Sequence, residues 1–318
     1  MNKLISIAVT TYNGEKFLRE QLDSLYNQSI KPDEIIVCDD CSTDNTITIL
    51  EEYRQKYGLI YIVNKKKLGV NKNFFQALSL CTGDYICICD QDDIWMPHKI
   101  ETLYKAIIKF DNNLPNCISS QRIDIDAQGK QIVKQTTLPN SEGWKATLLT
   151  TGKSQGCTMM INQALRDQVV RIYNSNTLAD SIMYDVLIGF VGAIEGNKLN
   201  LGNCLMYYRR HENNVVGKYN EQKMTFVEKA KIRPTYYPFL SDLRIKNLII
   251  INKLYEHKNI KIEIRTFMEQ IVDLYNCSNI FKGLRIICKL QIPPQLKAKI
   301  CLLTPINNIL KLLIRFFN

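Results

Sequence analysis

The chain has 318 residues, of which 46% are hydrophobic and 23% are charged, a composition typical of a soluble globular protein. Its net charge of +10 is uneven, because residues 1–217 carry 23 Lys and Arg against 24 Asp and Glu, whereas residues 218–318 carry 18 against 7. No run of about 18 apolar residues and no apolar signal-peptide core occurs, so we expect neither a spanning helix nor a secreted protein.

The eleven cysteines are expected to be free thiols. Cys87, Cys89 and Cys157 lie in apolar, strand-like runs, where a free cysteine behaves as a small hydrophobic residue. Cys38 and Cys41 have the spacing of a zinc-ligand pair, but no second pair completes four ligands. This cysteine usage predicts a reducing, cytoplasmic compartment.

The first ninety residues alternate between short apolar runs and segments with helical periodicity. We predict strands over 4–9, 34–38, 59–63 and 85–89. Helices are predicted between them, the second capped by Ser42 or Thr43 and the third over 71–80. This order predicts a doubly wound α/β unit with parallel strands and right-handed crossovers.

Polar clusters follow three of these strands, namely Thr11 to Asn13, Asp39 with Asp40, and Asp90 to Asp93. Parallel strands place their carboxyl ends on one edge of the sheet, where open α/β sheets bind ligands. We therefore expect the three clusters to converge. The first turn has neither a glycine-rich dinucleotide fingerprint nor a P-loop, which disfavours both of those sites.

Asp90, Asp92 and Asp93 directly follow the most apolar predicted strand. Like charges this close repel one another, and burying them costs several kcal/mol per ion unless a cation compensates. A divalent cation that also binds a diphosphate would satisfy them. The alternative is a solvated acidic turn, which the directly following Trp95 and Pro97 disfavour.

After Pro97 the alternation of apolar runs and helical segments becomes less regular. A helix is predicted over 100–107, strands over 116–124, 155–161 and 205–211, and a hairpin turn over 127–130. Tyr184 and Asp185 stand at the head of an apolar helix, and the last strand runs into three basic residues, Arg209, Arg210 and His211. Beyond residue 217 the pattern predicts helices with basic faces.

Taken in order, these motifs resemble the inverting glycosyltransferases of family 2. The matching stretches are Ile7 to Gly14, Val37 to Asp44, Leu68 to Phe74, Thr82 to Trp95, Gly156 to Thr158, Tyr184 with Asp185, and Tyr208 to Gly217. Within the family the chain is most similar to rhamnosyltransferase-like members that build bacterial cell-surface polysaccharides. The resemblance implies a catalytic domain over 1–217 and leaves 218–318 as a helical basic region.

The implied fold is GT-A, a doubly wound, mainly parallel sheet with a nucleotide-sugar site at the carboxyl ends of its strands. The implied donor is a nucleoside-diphosphate sugar, UDP- or dTDP-linked, although the residues do not exclude GDP. Asp39 resembles the carboxylate that accepts the ring N–H of the base, and other residues would line the donor site: Thr11, Tyr12, Asp40, Asn73, Asp90 and Arg209.

Mn²⁺ or Mg²⁺ is the implied cofactor, with Asp92, Asp93 and His211 as its ligands. Three residues of the donor and metal sites also have a structural interpretation. Tyr12 could pack in the core, Asn73 could be an ordinary helix-terminus residue, and His211 could lie in a solvated loop. The run from Lys65 to Lys67 is interpreted as a solvated loop rather than a phosphate clamp.

Asp185 resembles the catalytic base of the family. An inverting transfer needs a carboxylate that takes the proton of the acceptor hydroxyl. The family pattern has Glu or His before this Asp, and Tyr184 departs from it. Asp180 is the second candidate base, and its structural alternative is a helix cap.

The last segment, Lys297 to Phe317, has an apolar side and a basic side and predicts an interfacial helix on an anionic membrane. Each Lys or Arg near such a surface contributes about 1 kcal/mol. The alternative is a helix packed on the catalytic domain. A lipid-linked or other glycan acceptor and a position on the inner face of the cell membrane would agree with this interfacial helix.

Two other functions remain open on the sequence. A nucleotidyltransferase would use a related fold and acidic metal ligands, but the Thr10 to Gly14 turn lacks its glycine-rich basic loop. A nucleic-acid-binding protein would use the basic third, but no recognisable module supports it, so we expect no nucleic-acid partner.

Overall fold

The structure, a computed structural model, describes residues 3–132, 155–212, 242–256 and 260–276, together with positions 141–142, 144, 147–148, 214, 258, 285–286 and 289. The chain divides into two compact units. The first comprises Met1–Trp144 and Lys153–Tyr219, and the second comprises Lys145–Gly152 and Asn220–Asn318. The eight cysteines in the described ranges are free thiols.

The first four strands of the first unit are parallel, in the order β3-β2-β1-β4. Their bounds are β1 Ile5–Thr11, β2 Glu34–Asp39, β3 Ile60–Val63 and β4 Tyr85–Cys89, and the helices between them are α1 Leu18–Tyr26, α2 Thr46–Tyr57 and α3 Val70–Leu80. The predicted α/β alternation is confirmed.

The sheet continues past β4 with mixed strand directions. The further elements are β5 Ile94–Trp95, α4 Lys99–Ile107, β6 Asn116–Ile125, β7 Ser141–Glu142, β8 Met159–Asn162, α5 Gln163–Ser175, α6 Tyr184–Glu195 and β9 Asn197–Arg209. Strand β8 lies between β4 and β6 and is antiparallel to both. Strand β9 is parallel to β6, and it pairs with β5 and β7 in antiparallel fashion.

Helices cover both faces of the sheet, which explains why β4 is apolar along its whole length. On one face Ile7, Val9 and Cys87 share a buried core with apolar residues of α1, α2 and α4. On the other face α3 packs against β1, β2 and α5. All five residues of β4 are buried, so the carboxylates that follow it emerge at the end of a rigid central strand.

Three local predictions were wrong in their bounds. Helix α2 begins at Thr46, because Ser42 donates to Asp39 instead of capping the helix and the Asp44 carboxylate accepts the backbone N–H and the hydroxyl of Thr46. The predicted strand over 155–161 begins as a 3-10 turn, Gly156–Thr158, and becomes β8 only at Met159. The last strand starts eight residues earlier than predicted, at Asn197.

The described part of the second unit includes two packed helices, α7 Asp242–Leu254 and α8 Ile262–Asn276. Several of their apolar residues are buried, among them Ile251, Phe267 and Met268, whereas Ile262 at the start of α8 is exposed. The Arg265 guanidinium, in α8, donates to the carbonyls of Tyr255 and Lys258, which follow the end of α7. The predicted interfacial helix over 297–317 lies outside the described residues. No helix in the described ranges has the length and apolar character needed to cross a membrane.

Candidate functional site

A cavity of about 310 Å³ opens in the first unit where β1, β2 and β4 end. It is lined by Thr10, Thr11, Tyr12, Asp40, Lys67, Gly69, Val70, Asn73, Phe74, Asp90, Gln91, Asp92, Gln155, Gly156, Met183, Tyr184, Asp185, Tyr208 and Asn214. The predicted convergence of the three polar clusters is therefore confirmed. Seven predicted site residues line this cavity, and the other four, Asp39, Asp93, Arg209 and His211, do not.

Asp39 is buried, and its carboxylate accepts hydrogen bonds from other residues of the protein. It accepts the Thr11 hydroxyl at 2.7 Å, the Ser42 backbone N–H at 2.8 Å and the Ser42 hydroxyl at 2.5 Å. These bonds tie the end of β1 to the loop after β2. The predicted contact between Asp39 and a base remains a prediction.

Asp40, the next residue, lines the cavity and holds the loop that leads into α3. Its carboxylate accepts the backbone N–H of Leu68 at 2.6 Å and of Gly69 at 2.9 Å, and the Asn64 amide at 3.0 Å. Asn73 also lines the cavity, but its amide is bound to the Cys38 carbonyl at 2.8 Å and to Asn64 at 2.9 Å. Both residues therefore hold neighbouring backbone groups in place and also line the cavity.

Tyr12 is a surface residue of the cavity rim, with 41% of its area exposed, so the core-packing alternative is wrong. The Gln91 amide accepts the Tyr12 N–H at 2.8 Å and donates to the Tyr12 carbonyl at 3.1 Å. The Lys67 ammonium lies 3.4 Å from the centre of the Tyr12 ring. Lys65 and Lys66 are exposed, as a solvated loop predicts, but Lys67 belongs to the site.

Asp93 is fully buried, and one of its oxygens is satisfied while the other is not. Oδ1 accepts the Arg209 backbone N–H at 3.1 Å, and Oδ2 has no hydrogen-bond partner among the described residues. Burial, followed by the Asp92 charge, raises the pKa of Asp93 well above its usual range and that of Asp90 to about 7. Both carboxylates therefore resist ionisation unless a cation is nearby.

The Asp93 carboxylate also belongs to a group of side chains that could hold a cation. One ligand atom each of Asp90, Asp93 and Cys157 lie within 4.8 Å of one another. Two carboxylates are the ligands that Mg²⁺ and Mn²⁺ prefer, and a thiol suits softer metals. Asp90 and Asp93 thus fit the implied Mn²⁺ or Mg²⁺, and Cys157 is a neighbour that the sequence did not suggest.

His211 and Arg209 contact the acidic cluster from outside the cavity lining. His211 Nε2 lies 2.7 Å from Asp92 Oδ2, and the His211 ring packs against Phe17. Arg209 is buried; it donates to the Asp92 carbonyl at 3.0 Å and to the carboxylate of Glu20. Its guanidinium therefore supports the acidic turn, and the predicted diphosphate contact remains untested.

Lys99 is a buried cation beneath the acidic cluster that the sequence analysis missed. Its ammonium donates to the Cys157 carbonyl at 2.5 Å and lies 3.5 Å from the centre of the Trp95 ring. Burial lowers the pKa of Lys99, while its charge lowers the pKa values of Asp90 and Asp93. Nothing in the sequence distinguishes Lys99 from a surface lysine at the start of a helix.

Asp185 lies in the first turn of α6 and lines the cavity together with Tyr12 and Asp40, which follow β1 and β2. Its Oδ1 accepts the Val186 N–H at 2.8 Å. Burial raises the pKa of Asp185 to about 6, although backbone N–H groups of Val186 and Gly156 oppose the shift. A carboxylate with this pKa is suited to accept a proton near neutral pH.

Asp180, the second candidate base, does not line the cavity. It accepts the Tyr173 hydroxyl at 2.6 Å and lies 3.7 Å from the Lys72 ammonium on the surface. Tyr184, by contrast, lines the cavity and stacks on Phe74 with 3.9 Å between ring centres. The residue that departs from the family pattern therefore forms an aromatic wall beside Asp185.

We expect Gly156→Ala to destabilise the protein and to reduce its activity. A methyl group at this position would come within 2.1 Å of the Tyr184 hydroxyl oxygen, and Tyr184 cannot withdraw freely because it is stacked on Phe74. Overpacking of this kind costs about 1–3 kcal/mol. The free energy of unfolding in urea measures the loss.

Gly189→Ala is the matched control, because a methyl group there would meet nothing within 4 Å. In the interior of α6, alanine should stabilise the helix by up to about 1 kcal/mol. Equal destabilisation by both substitutions would contradict the steric explanation.

The family model described as "Glycosyl transferase family 2" matches residues 6–169. A dTDP-rhamnosyl transferase, RfbG, of Shigella flexneri is 30% identical over 239 residues, which cover 72% of this chain and 80% of that protein. A cholesterol galactosyltransferase of Borreliella burgdorferi is 26% identical over 214 residues, 64% of this chain and 59% of that protein.

Among solved structures, TarS 1-349 of S. aureus in complex with UDP superimposes with a TM-score of 0.57 at 19% identity. The superposition covers 92% of this chain and 77% of that chain. At this identity the likeness shows the fold, and it agrees with the GT-A architecture predicted from the motifs.

Proposed function

The chain belongs to glycosyl transferase family 2, and from this premise we propose that it moves a sugar from a UDP- or dTDP-linked donor to a glycan acceptor in cell-surface polysaccharide biosynthesis. The observation that carries this proposal is one cavity lined by an aromatic ring, an acidic cluster and a partly buried carboxylate. Tyr12 would offer a face for a base, and Asp90, Asp92 and Asp185 all line the same cavity.

The donor nucleotide is supported by two of the comparisons. The relative from Shigella flexneri is named for dTDP-rhamnose transfer, and it aligns with most of this chain. The solved neighbour from S. aureus contains UDP. We place dTDP-linked sugars first, because the relative is the nearer of the two in sequence, and UDP-linked sugars second.

The acidic cluster of Asp90, Asp92 and Asp93 would hold a divalent cation, Mn²⁺ or Mg²⁺, and His211 is bound to Asp92. When bound, such an ion neutralises the charge that develops on the departing nucleoside diphosphate. The orphaned Asp93 oxygen and the raised pKa of Asp90 support this assignment.

Asp185 is proposed to act as the general base. It accepts the proton of an acceptor hydroxyl while that oxygen forms a bond to the anomeric carbon. The bond from this carbon to the donor phosphate oxygen breaks, and its electron pair leaves with the nucleoside diphosphate. Attack opposite to the leaving group inverts the anomeric configuration.

The function is tested by turnover with purified protein and a panel of dTDP- and UDP-linked sugars. We expect one donor to release nucleoside diphosphate faster when a glycan acceptor is present, and the acceptor to gain the mass of one sugar. Release of pyrophosphate from a nucleoside triphosphate would instead favour a nucleotidyltransferase.

The transfer rate is expected to depend on pH through Asp185. Only the ionised carboxylate accepts a proton, and its pKa is raised to about 6. The second-order rate constant should therefore rise as pH increases through about 6 and level off above it. Asp180→Asn, at the surface, should leave this profile unchanged. A rate that is flat or falls between pH 5 and pH 8 would contradict the assignment.

A position at the inner face of the membrane is proposed on the charge asymmetry alone. Residues 218–318 carry 18 basic against 7 acidic side chains, and a lipid-linked acceptor would be presented at an anionic surface.

A further inference from the structure

Asn71, in the first turn of α3, reaches a segment more than a hundred residues away in sequence. Its amide donates to the Ile182 carbonyl at 2.9 Å, and its Oδ1 accepts the Tyr184 backbone N–H at 3.0 Å. Both partners lie just before Asp185. The sequence analysis assigned Asn71 no role.

These bonds replace a cap that α6 lacks. The first N–H groups of a helix have no partner within it, and Met183, which precedes α6, provides no side-chain hydrogen bond. Asn71 satisfies the first of these groups, that of Tyr184, from outside the helix. The first N–H of α6 is therefore satisfied from α3, while that of Val186 is satisfied by Asp185 within the helix.

A second contact between the same two helices lies one turn further along α3. Phe74 stacks on Tyr184 with 3.9 Å between ring centres and 22° between ring planes. Residues 71 and 74 are three positions apart and so share one face of the helix. This face of α3 therefore contacts both the backbone and the ring of Tyr184.

The start of α3 is also fixed to the donor side of the cavity. Asp40 accepts the N–H groups of Leu68 and Gly69, directly before the helix. The first turns of α3 thus connect the loop held by Asp40 to the segment that carries Asp185.

We propose that Asn71 is a positioning residue for catalysis: it holds the Tyr184–Asp185 turn against α3, so that the Asp185 carboxylate meets the acceptor hydroxyl in line with the bound donor. This inference rests on the proposed role of Asp185 as the base. Asn71 itself touches no reacting atom. A misplacement of about 1 Å can cost about 100-fold in rate.

The test compares Asn71→Ala with Asn71→Asp and Lys72→Ala in the full chain. Asn71→Ala should lower kcat by about 10- to 100-fold and leave the dissociation constant of the donor nucleotide within about twofold. The acidic limb of its pH profile should move to lower pH, because a loosened turn admits water to Asp185. Asn71→Asp retains an oxygen for the Tyr184 N–H and should recover part of the rate.

Lys72→Ala is the matched control, because Lys72 is the next residue, is exposed and pairs with the surface residue Asp180 at 3.7 Å. It should leave both constants unchanged. A fully active Asn71→Ala overturns the inference, and so does a parallel loss of donor binding and rate in both Asn71 variants, since that is a purely structural effect. If Asp185→Asn is itself active, the proposed role of Asp185 as the base fails instead.

Discussion

Replacing Asp185 by Asn is expected to reduce sugar transfer by at least about 10²- to 10⁴-fold, the usual contribution of a general base. The amide has nearly the same shape and can keep the bond from the Val186 N–H, but it cannot accept a proton from the acceptor. Donor binding should persist, because Asp185 belongs to α6, whereas the proposed donor residues Tyr12 and Asp40 follow β1 and β2. Single-turnover transfer and nucleotide titration separate the two effects.

Asp180→Asn is the control for this experiment. It makes the same chemical change five residues earlier, at a carboxylate that binds Tyr173 and lies outside the cavity lining. It should retain nearly full activity. If Asp180→Asn is inactive and Asp185→Asn is active, the base has been assigned to the wrong residue.

Asp92→Asn is expected to give the complementary result, a loss of metal-dependent nucleotide binding. Loss of a residue that merely supports a metal ligand costs about 10- to 100-fold in metal affinity, and loss of a ligand should cost at least as much. The substitution also removes one negative charge beside Asp90 and Asp93, so the pKa values of both should fall towards their usual range. Nucleotide titrations with and without Mn²⁺ measure the effect.

Asp84→Asn is the matched control at the other end of β4. Asp84 binds the Lys3 ammonium and the Leu4 N–H, far along the strand from the acidic turn. It should leave nucleotide binding unchanged. Equal metal dependence in wild type and Asp92→Asn would contradict the metal assignment, whereas equal loss in both variants would point to a general effect of charge.

The parallel half of the fold could be predicted because its signals are local. Four apolar runs separated by helical periodicity permit few arrangements, and polar residues directly after three of the strands indicated the edge that binds ligand. Thr11, Asp40 and Asp90 do meet around one cavity there. Asp185 was found through the family motif, since nothing near it in sequence marks it as a base.

The rest depended on contacts between residues far apart in the chain. The antiparallel insertion of β8 between β4 and β6 has no sequence signal, because a short apolar strand can pair in either direction. Ser42 had the residue type of a helix cap, but a buried carboxylate, Asp39, was available and bound it instead. The sequence did not distinguish Lys67 from Lys65 and Lys66, but in the structure its ammonium lies over the Tyr12 ring.

Residue types also could not predict which side chains face the cavity and which support it. Arg209 follows a strand into the site, as a phosphate-binding residue would, but its guanidinium is buried against Glu20 and the Asp92 carbonyl. Asn71 resembles any polar residue near a helix start, yet it binds the backbone on both sides of Met183.

Calorimetric titration of the full chain with dTDP, UDP and GDP, each with and without Mn²⁺, tests most directly whether the cavity between Tyr12 and Asp185 is a nucleotide-sugar site. We expect tight binding of dTDP or UDP that requires the metal and is lost in Asp92→Asn. Absence of binding by all three nucleotides to protein shown to be folded would contradict the proposed site.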